Sequence, residues 1–173
     1  MRSINEIIVH CSATREGQHI PVETIKKWHV EGRGWSDIGY HFYIELDGTI
    51  KKGRDIDRSG AHTKGHNKNS IGICYCGGVE SDGKTPKDTR TEIQKESLLH
   101  VLKTLMAMFP LATIYSHNEF ANKACPSFDA TNEYKDLWKH LRTTWLKNCN
   151  SNNNGYSLFR RYVLYFASRY WRS

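Results

Sequence analysis

Residues 115 to 128 read YSHNEFANKACPSF, a short polar loop that holds His117 and Cys125, with Lys123 two positions before the cysteine. Imidazole and thiolate are the ligands that a borderline-soft metal such as zinc prefers. Two ligands do not close a site, and a third candidate stands near the start of the chain. His10 ends the apolar run of NEIIVHCSAT, so His10 and His117 share a position type: each lies where an apolar strand gives way to a polar loop. If the two strands are neighbours in one sheet, both imidazoles project at the same edge. Cys125 follows His117 by eight residues, enough for a loop to fold back and supply a third ligand. Two His and one Cys leave a tetrahedral zinc one open position, which marks catalytic rather than structural zinc. Water held there has its pKa lowered toward neutrality and becomes a usable nucleophile.

Other groupings compete. His62 and His66 share one loop, and Cys74 and Cys76 fall on one side of a strand, where they read as small core residues. A strand-end histidine also serves as an ordinary structural residue, and Cys125 equally suits a small buried position. Spacing alone leaves these alternatives standing.

The elements that must position these groups follow from local pattern. Ile7, Ile8 and Val9 form a buried strand. PVETIKKWHVEG reads as a helix with Pro21 in its first turn, Gly32 as its stop, and Val22, Ile25 and Trp28 or His29 facing inward. GYHFYIELDGTIKKGR reads as a hairpin, with Asp47-Gly48 favouring a two-residue primed turn. IGICYCGG is a further strand. TEIQKESLLHVLKTLMAMFP is a helix with Thr91 and Gln94 as a capping box and an apolar stripe of Ile93, Leu98, Leu102, Leu105 and Phe109. ATIYSHNEF is a strand, and TNEYKDLWKHLRTTWLKN an amphipathic helix using Tyr134, Leu137 or Trp138, Leu141 and Trp145. The order predicts an α/β fold, a central mixed sheet flanked by α-helices.

Length and composition set outer limits. The 173 residues fit one ordinary domain, and 12% aromatics argue for a folded chain. No apolar run approaches the roughly 18 residues of a membrane span. MRSINEIIVHCS lacks the apolar stretch of a secretory signal, so synthesis in the cytoplasm is expected. Five cysteines are an odd number, and without an export signal a disulfide framework is not expected. Of the net charge of +7, four charges come from Arg160, Arg161, Arg169 and Arg172 in the acid-free segment 156–173. The remaining body is only modestly basic, so nucleic acid is not expected as a partner.

VHCSAT, WHVEGRGWSDIGYHFYIELDGTI, GRDIDRSGAHTKGHNKNSIGICYCGG and SHNEFANKACPSFD together resemble the type 2 N-acetylmuramoyl-L-alanine amidases, a group that includes phage endolysins and peptidoglycan recognition proteins. The resemblance runs from about residue 4 to about residue 140 and is closest to the phage endolysin branch. It implies the fold of that family and a zinc hydrolase that cuts the amide between N-acetylmuramic acid and L-alanine in peptidoglycan. It implies one zinc ion held by His10, His117 and Cys125, with Tyr40 and Lys123 as catalytic residues. It also makes His62, Lys64 and Asn67 of the GAHTKGHN loop candidate muropeptide contacts, with Lys64 suited to a stem carboxylate. Trp28 and Trp35 are further groove candidates, Trp28 being better suited to packing. Action on the cell wall then requires release or delivery by other means. The alternatives are a peptidoglycan-binding module without catalysis, or a regulatory protein that binds another through a basic face. The presence of Cys125, Tyr40 and Lys123 favours the enzyme.

The implied division is an amidase domain over 1–148, a linker over 149–155 and a basic aromatic segment over 156–173. That last segment is expected as a helix, docked on its own domain or lying on an anionic membrane or wall polymer.

Overall fold

A strand as apolar as IIV needs a neighbour on each edge and cover on each face, and β1 has all four. In the computed structural model, which describes residues 2–137, 139 and 143, the elements run β1 (Glu6–Cys11), β2 (Thr14–Arg15), α1 (Val22–Arg33), β3 (Phe42–Ile44), β4 (Ile50–Lys52), β5 (Ser70–Tyr75), β6 (Gly78–Val79), α2 (Glu92–Met108), β7 (Thr113–Ser116), a 3-10 turn (His117–Glu119) and α3 (Ala130–Glu133). The main sheet has the order β4-β3-β5-β1-β7, antiparallel only between β3 and β4. The mixed sheet with flanking helices agrees with the expected α/β class. The short parallel ladder between β2 and β6 is an addition.

Alternation along β1 sorts its side chains between two cores. Ile7, Val9 and Cys11 join Leu98, Leu102 and Leu105 of α2 in the larger core. His10 pairs in register with Cys74, as does Tyr43, so it lies on the opposite face. There Tyr43, Cys74 and Cys76 pack with Ile20, Ile25 and Ile38 beside α1.

The capping box of α2 forms as expected, with Thr91 Oγ1 accepting the Gln94 N–H and the Gln94 side chain accepting the Thr91 N–H. Four expectations need correction. The first helix stops at Gly34 rather than Gly32: Gly34 is left-handed at φ 67°, and its N–H and that of Trp35 close on Val30 and His29 carbonyls. Trp28, expected to pack, is 47% exposed, and of the two residues offered for the inward position His29 takes it. Ile93 is likewise 51% exposed, and Gln94 is buried in its place, donating to the carbonyl of Cys76 at 2.9 Å. The hairpin uses a longer turn than the primed two-residue type. The Glu45 N–H bonds the Thr49 carbonyl, the Gly48 N–H bonds the Glu45 carbonyl, and Gly48 but not Asp47 has positive φ.

Tyr134 is buried and Leu137 packs against the larger core. Most of the expected last helix, the linker 149–155 and the segment 156–173 lie outside the described residues. Among the described residues, no helix is long and apolar enough to cross a membrane.

Candidate metal centre

Parallel pairing of β1 with β7 puts Val9 opposite Ser116, so the next residues, His10 and His117, come side by side at the carboxyl end of the two strands. That end is where open α/β sheets place their sites. The two rings lie 4.4 Å apart, centroid to centroid. The loop after His117 then turns back toward β1. Tyr75 donates its hydroxyl proton to the Pro126 carbonyl at 2.6 Å, and Ser127 donates to the Gly78 carbonyl at 2.7 Å. These two bonds set Cys125 beside β1, with Sγ 3.8 Å from His10 Nδ1. One ligand atom from each of His10, His117 and Cys125 lies within 4.8 Å of the others, and among the described residues no other such trio occurs.

The chemistry of the three groups suits a metal. Nδ1 of His117 is buried without a hydrogen-bond partner among the described residues, a costly state for an imidazole nitrogen unless a cation satisfies it. Burial above all, then the charges of His62, His117 and Lys123, holds the His10 imidazolium well below its usual pKa. Burial and Lys123 lower His117 in the same way. Both rings are therefore neutral at neutral pH, the form that can ligate a metal. The adjoining Cys11 thiol and burial push the Cys125 thiol up, so its thiolate form calls for a cation alongside. The Cys11 N–H, 3.2 Å from Cys125 Sγ, adds a donor suited to a ligating thiolate.

Tyr40 stands next to this trio, its ring centroid 5.2 Å from that of His10 and 5.4 Å from that of His29. Burial, followed by the neighbouring thiols, raises its hydroxyl well above the usual phenol value. Lys123 is exposed on the loop, and its charge is felt by both His10 and His117. His41 Nδ1 accepts the Gly72 N–H at 2.9 Å.

The GAHTKGHN loop divides in its placement. Lys64 is exposed. Asn67 is half-buried, and its Oδ1 accepts the N–H groups of both His62 and Thr63, so its carbonyl shapes the loop. His62 turns inward, with Nδ1 3.0 Å from His10 Nε2. The rival metal groupings do not assemble. His66 bonds Glu6 at 2.9 Å and stacks on Phe120, whereas Cys74 and Cys76 are core residues. Sequence reasoning missed the His62–His10 contact. Its available signal was the pair of glycines, Gly60 and Gly72, on which a Cβ would come within 2.6 Å of the His62 ring.

A family model described as N-acetylmuramoyl-L-alanine amidase matches residues 1–128. The endolysin of Escherichia phage T7 is 48% identical over 127 residues, which cover 73% of this chain and 83% of that protein. The solved structure of the N-acetylmuramoyl-L-alanine amidase LysC from Clostridium intestinale superposes with a TM-score of 0.66 at 28% identity, covering 79% of this chain and 86% of that one. A complex of the peptidoglycan recognition proteins LCa and LCx with tracheal cytotoxin is similar at a TM-score of 0.65 and 28% identity, covering 78% and 82%.

Proposed function

This chain belongs to the N-acetylmuramoyl-L-alanine amidase family, and we propose that it cleaves the bond between N-acetylmuramic acid and L-alanine with one zinc ion held by His10, His117 and Cys125. Its likeness to phage endolysins makes it a peptidoglycan amidase. The observation that carries the zinc assignment is the convergence of the three ligand atoms within 4.8 Å around a buried His117 nitrogen without a partner among the described residues. When bound, zinc supplies Lewis acidity, which acidifies water and polarises a carbonyl.

The chain's own residues do the rest. His10 and His117 enter as neutral rings, and Cys125 as an anion that offsets part of the metal charge. That leaves room for a second positive group. Lys123, whose ammonium acts on both imidazoles, stabilises the oxyanion that develops on the attacked lactyl carbonyl. The Tyr40 hydroxyl, alongside His10, holds the attacking water and relays its proton to the departing L-alanine nitrogen. Lys64 and Asn67 border the approach from the loop before β5, where an exposed ammonium suits a carboxylate of the stem peptide. The site of action is then the cell wall, reached after release or delivery.

Metal analysis of purified protein, paired with the appearance of L-alanine amino termini in purified sacculi, tests this reading. Stoichiometric zinc and cleavage that is lost on chelation and restored by zinc are expected. Zinc without cleavage of sacculi or of soluble muropeptides would make the chain a recognition module. Metal-independent cleavage would remove zinc from the mechanism.

A further inference from the structure

A histidine that ligates through Nδ1 carries its proton on Nε2, and that proton needs an acceptor that also fixes the ring's rotation. His10 presents Nδ1 toward Cys125, and its Nε2 lies 3.0 Å from His62 Nδ1. His62 must therefore accept at Nδ1 and carry its own proton on Nε2. The surroundings agree with that tautomer. His62 Nε2 is 3.3 Å from Ser70 Oγ, which donates onward to the His66 carbonyl at 2.8 Å. Each donor in the series thus meets an acceptor, from His10 through His62 and Ser70 to the backbone. Thr63 Oγ1 closes the cluster, 3.0 Å from His62 Nδ1 and 3.5 Å from His10 Nε2.

The seat for this ring is built into the backbone. A Cβ on Gly60 would come within 2.5 Å of His62 Cδ2, and one on Gly72 within 2.6 Å of Cδ2 and Cγ. Asn67 Oδ1 holds the backbone of His62 itself at 2.8 Å. Ring, anchor and space all direct the imidazole inward. A group whose task was to meet a sugar or peptide would instead leave a ring nitrogen free at the surface.

We infer that His62 is the positioning residue of the metal centre, fixing His10 in the tautomer and orientation that presents Nδ1 to zinc, rather than a muropeptide contact. The inference rests on the zinc-amidase reading above.

Zinc affinity of the full chain, measured by competition with a chromophoric chelator, tests it on wild type, His62→Ala, His62→Phe and His62→Gln, alongside the KM for a soluble muropeptide at saturating zinc. Loss of the acceptor in the Ala and Phe variants weakens zinc by about 10- to 100-fold and leaves KM unchanged. Gln, whose carbonyl oxygen accepts a hydrogen bond, retains more of the affinity than Phe. Nitrogen-15 NMR of the histidines in zinc-loaded wild type places the His10 proton on Nε2. Ser70→Ala removes only the outer anchor, weakens zinc less, and serves if the His62 variants fail to fold. Wild-type zinc affinity in the folded variants, with KM raised, overturns the positioning role and returns His62 to the substrate. A wild-type protein that takes up no zinc overturns the metal reading itself.

Discussion

Cys125 Sγ lies 3.2 Å from the backbone N–H of Cys11, the residue that follows His10. Two of the three candidate ligands are thus tied to consecutive positions of β1, although 114 residues separate Cys11 from Cys125 in the chain. The N–H stabilises negative charge on the sulfur and holds it at one distance from His10. Cys125→Ser keeps an acceptor for that N–H while removing the soft ligand. The expected outcome is a folded protein with substoichiometric zinc and no measurable cleavage of sacculi. Metal analysis and melting on the same sample check it, and a variant that keeps full zinc would contradict the ligand assignment.

Lys123 contributes charge to the site from an exposed position on the loop, so its loss should spare the metal. Lys123→Ala is expected to keep zinc and lower kcat by about 10²- to 10³-fold, the scale of losing one oxyanion donor. Steady-state kinetics on soluble muropeptide decide the matter. A rise in KM with kcat intact would make Lys123 a binding residue.

Arg90 holds the returning loop from behind. Its side chain is 1% exposed, bonds Asp88 and Glu133 at 2.8 Å, and lies 3.3 Å from the centre of the Phe128 ring. Arg90→Ala would leave two partly exposed carboxylates without their cation. A loss of about 2–3 kcal/mol in urea unfolding is expected, the lower end for a broken buried pair because both acids still reach water. Arg90→Lys should recover little, since a point charge cannot serve both carboxylates and the ring.

Acid should weaken the fold through His29 and His41. Nδ1 of each accepts a backbone N–H, from Gly39 at 3.1 Å and from Gly72 at 2.9 Å. Burial lowers both from 6.5 to about 4. Because the folded pKa is depressed, the stabilisation is fully present above about 6.5 and is lost as pH falls toward about 4, where the unfolded chain binds protons that the fold refuses. Each ring contributes on the order of 2 kcal/mol. Unfolding of metal-free protein at pH 7, 6 and 5 measures the slope, and His29→Asn, whose amide oxygen can accept the same N–H, should flatten it. A midpoint that does not move across this range would rule the effect out.

Much of the centre was legible in the chain itself. His10 and His117 announced themselves as polar residues ending apolar strands. The capping box of Thr91 and Gln94 is a local code, read within one turn, and it forms as written. The family resemblance implied roles for Tyr40 and Lys123; the Tyr40 ring lies 5.2 Å from that of His10, and the charge of Lys123 is felt by His10 and His117. Local pattern failed where a residue's fate depends on what packs against it. Helical spacing allowed either Trp28 or His29 to face inward, and the inward place went to His29, the ring whose Nδ1 accepts the Gly39 N–H. Ile93 fits an apolar stripe, yet Gln94 is the side chain that reaches the free carbonyl at the end of β5. His62 shows the division most sharply. Its loop reads as a polar turn, and the sequence offers it as a metal ligand with His66 or as a muropeptide contact, but not as the partner of another histidine. What it meets is decided by Gly60 and Gly72, which leave room for the ring, and by His10, brought in from a distant part of the chain, because a ring nitrogen's partner is a matter of ångströms that no one-dimensional period encodes.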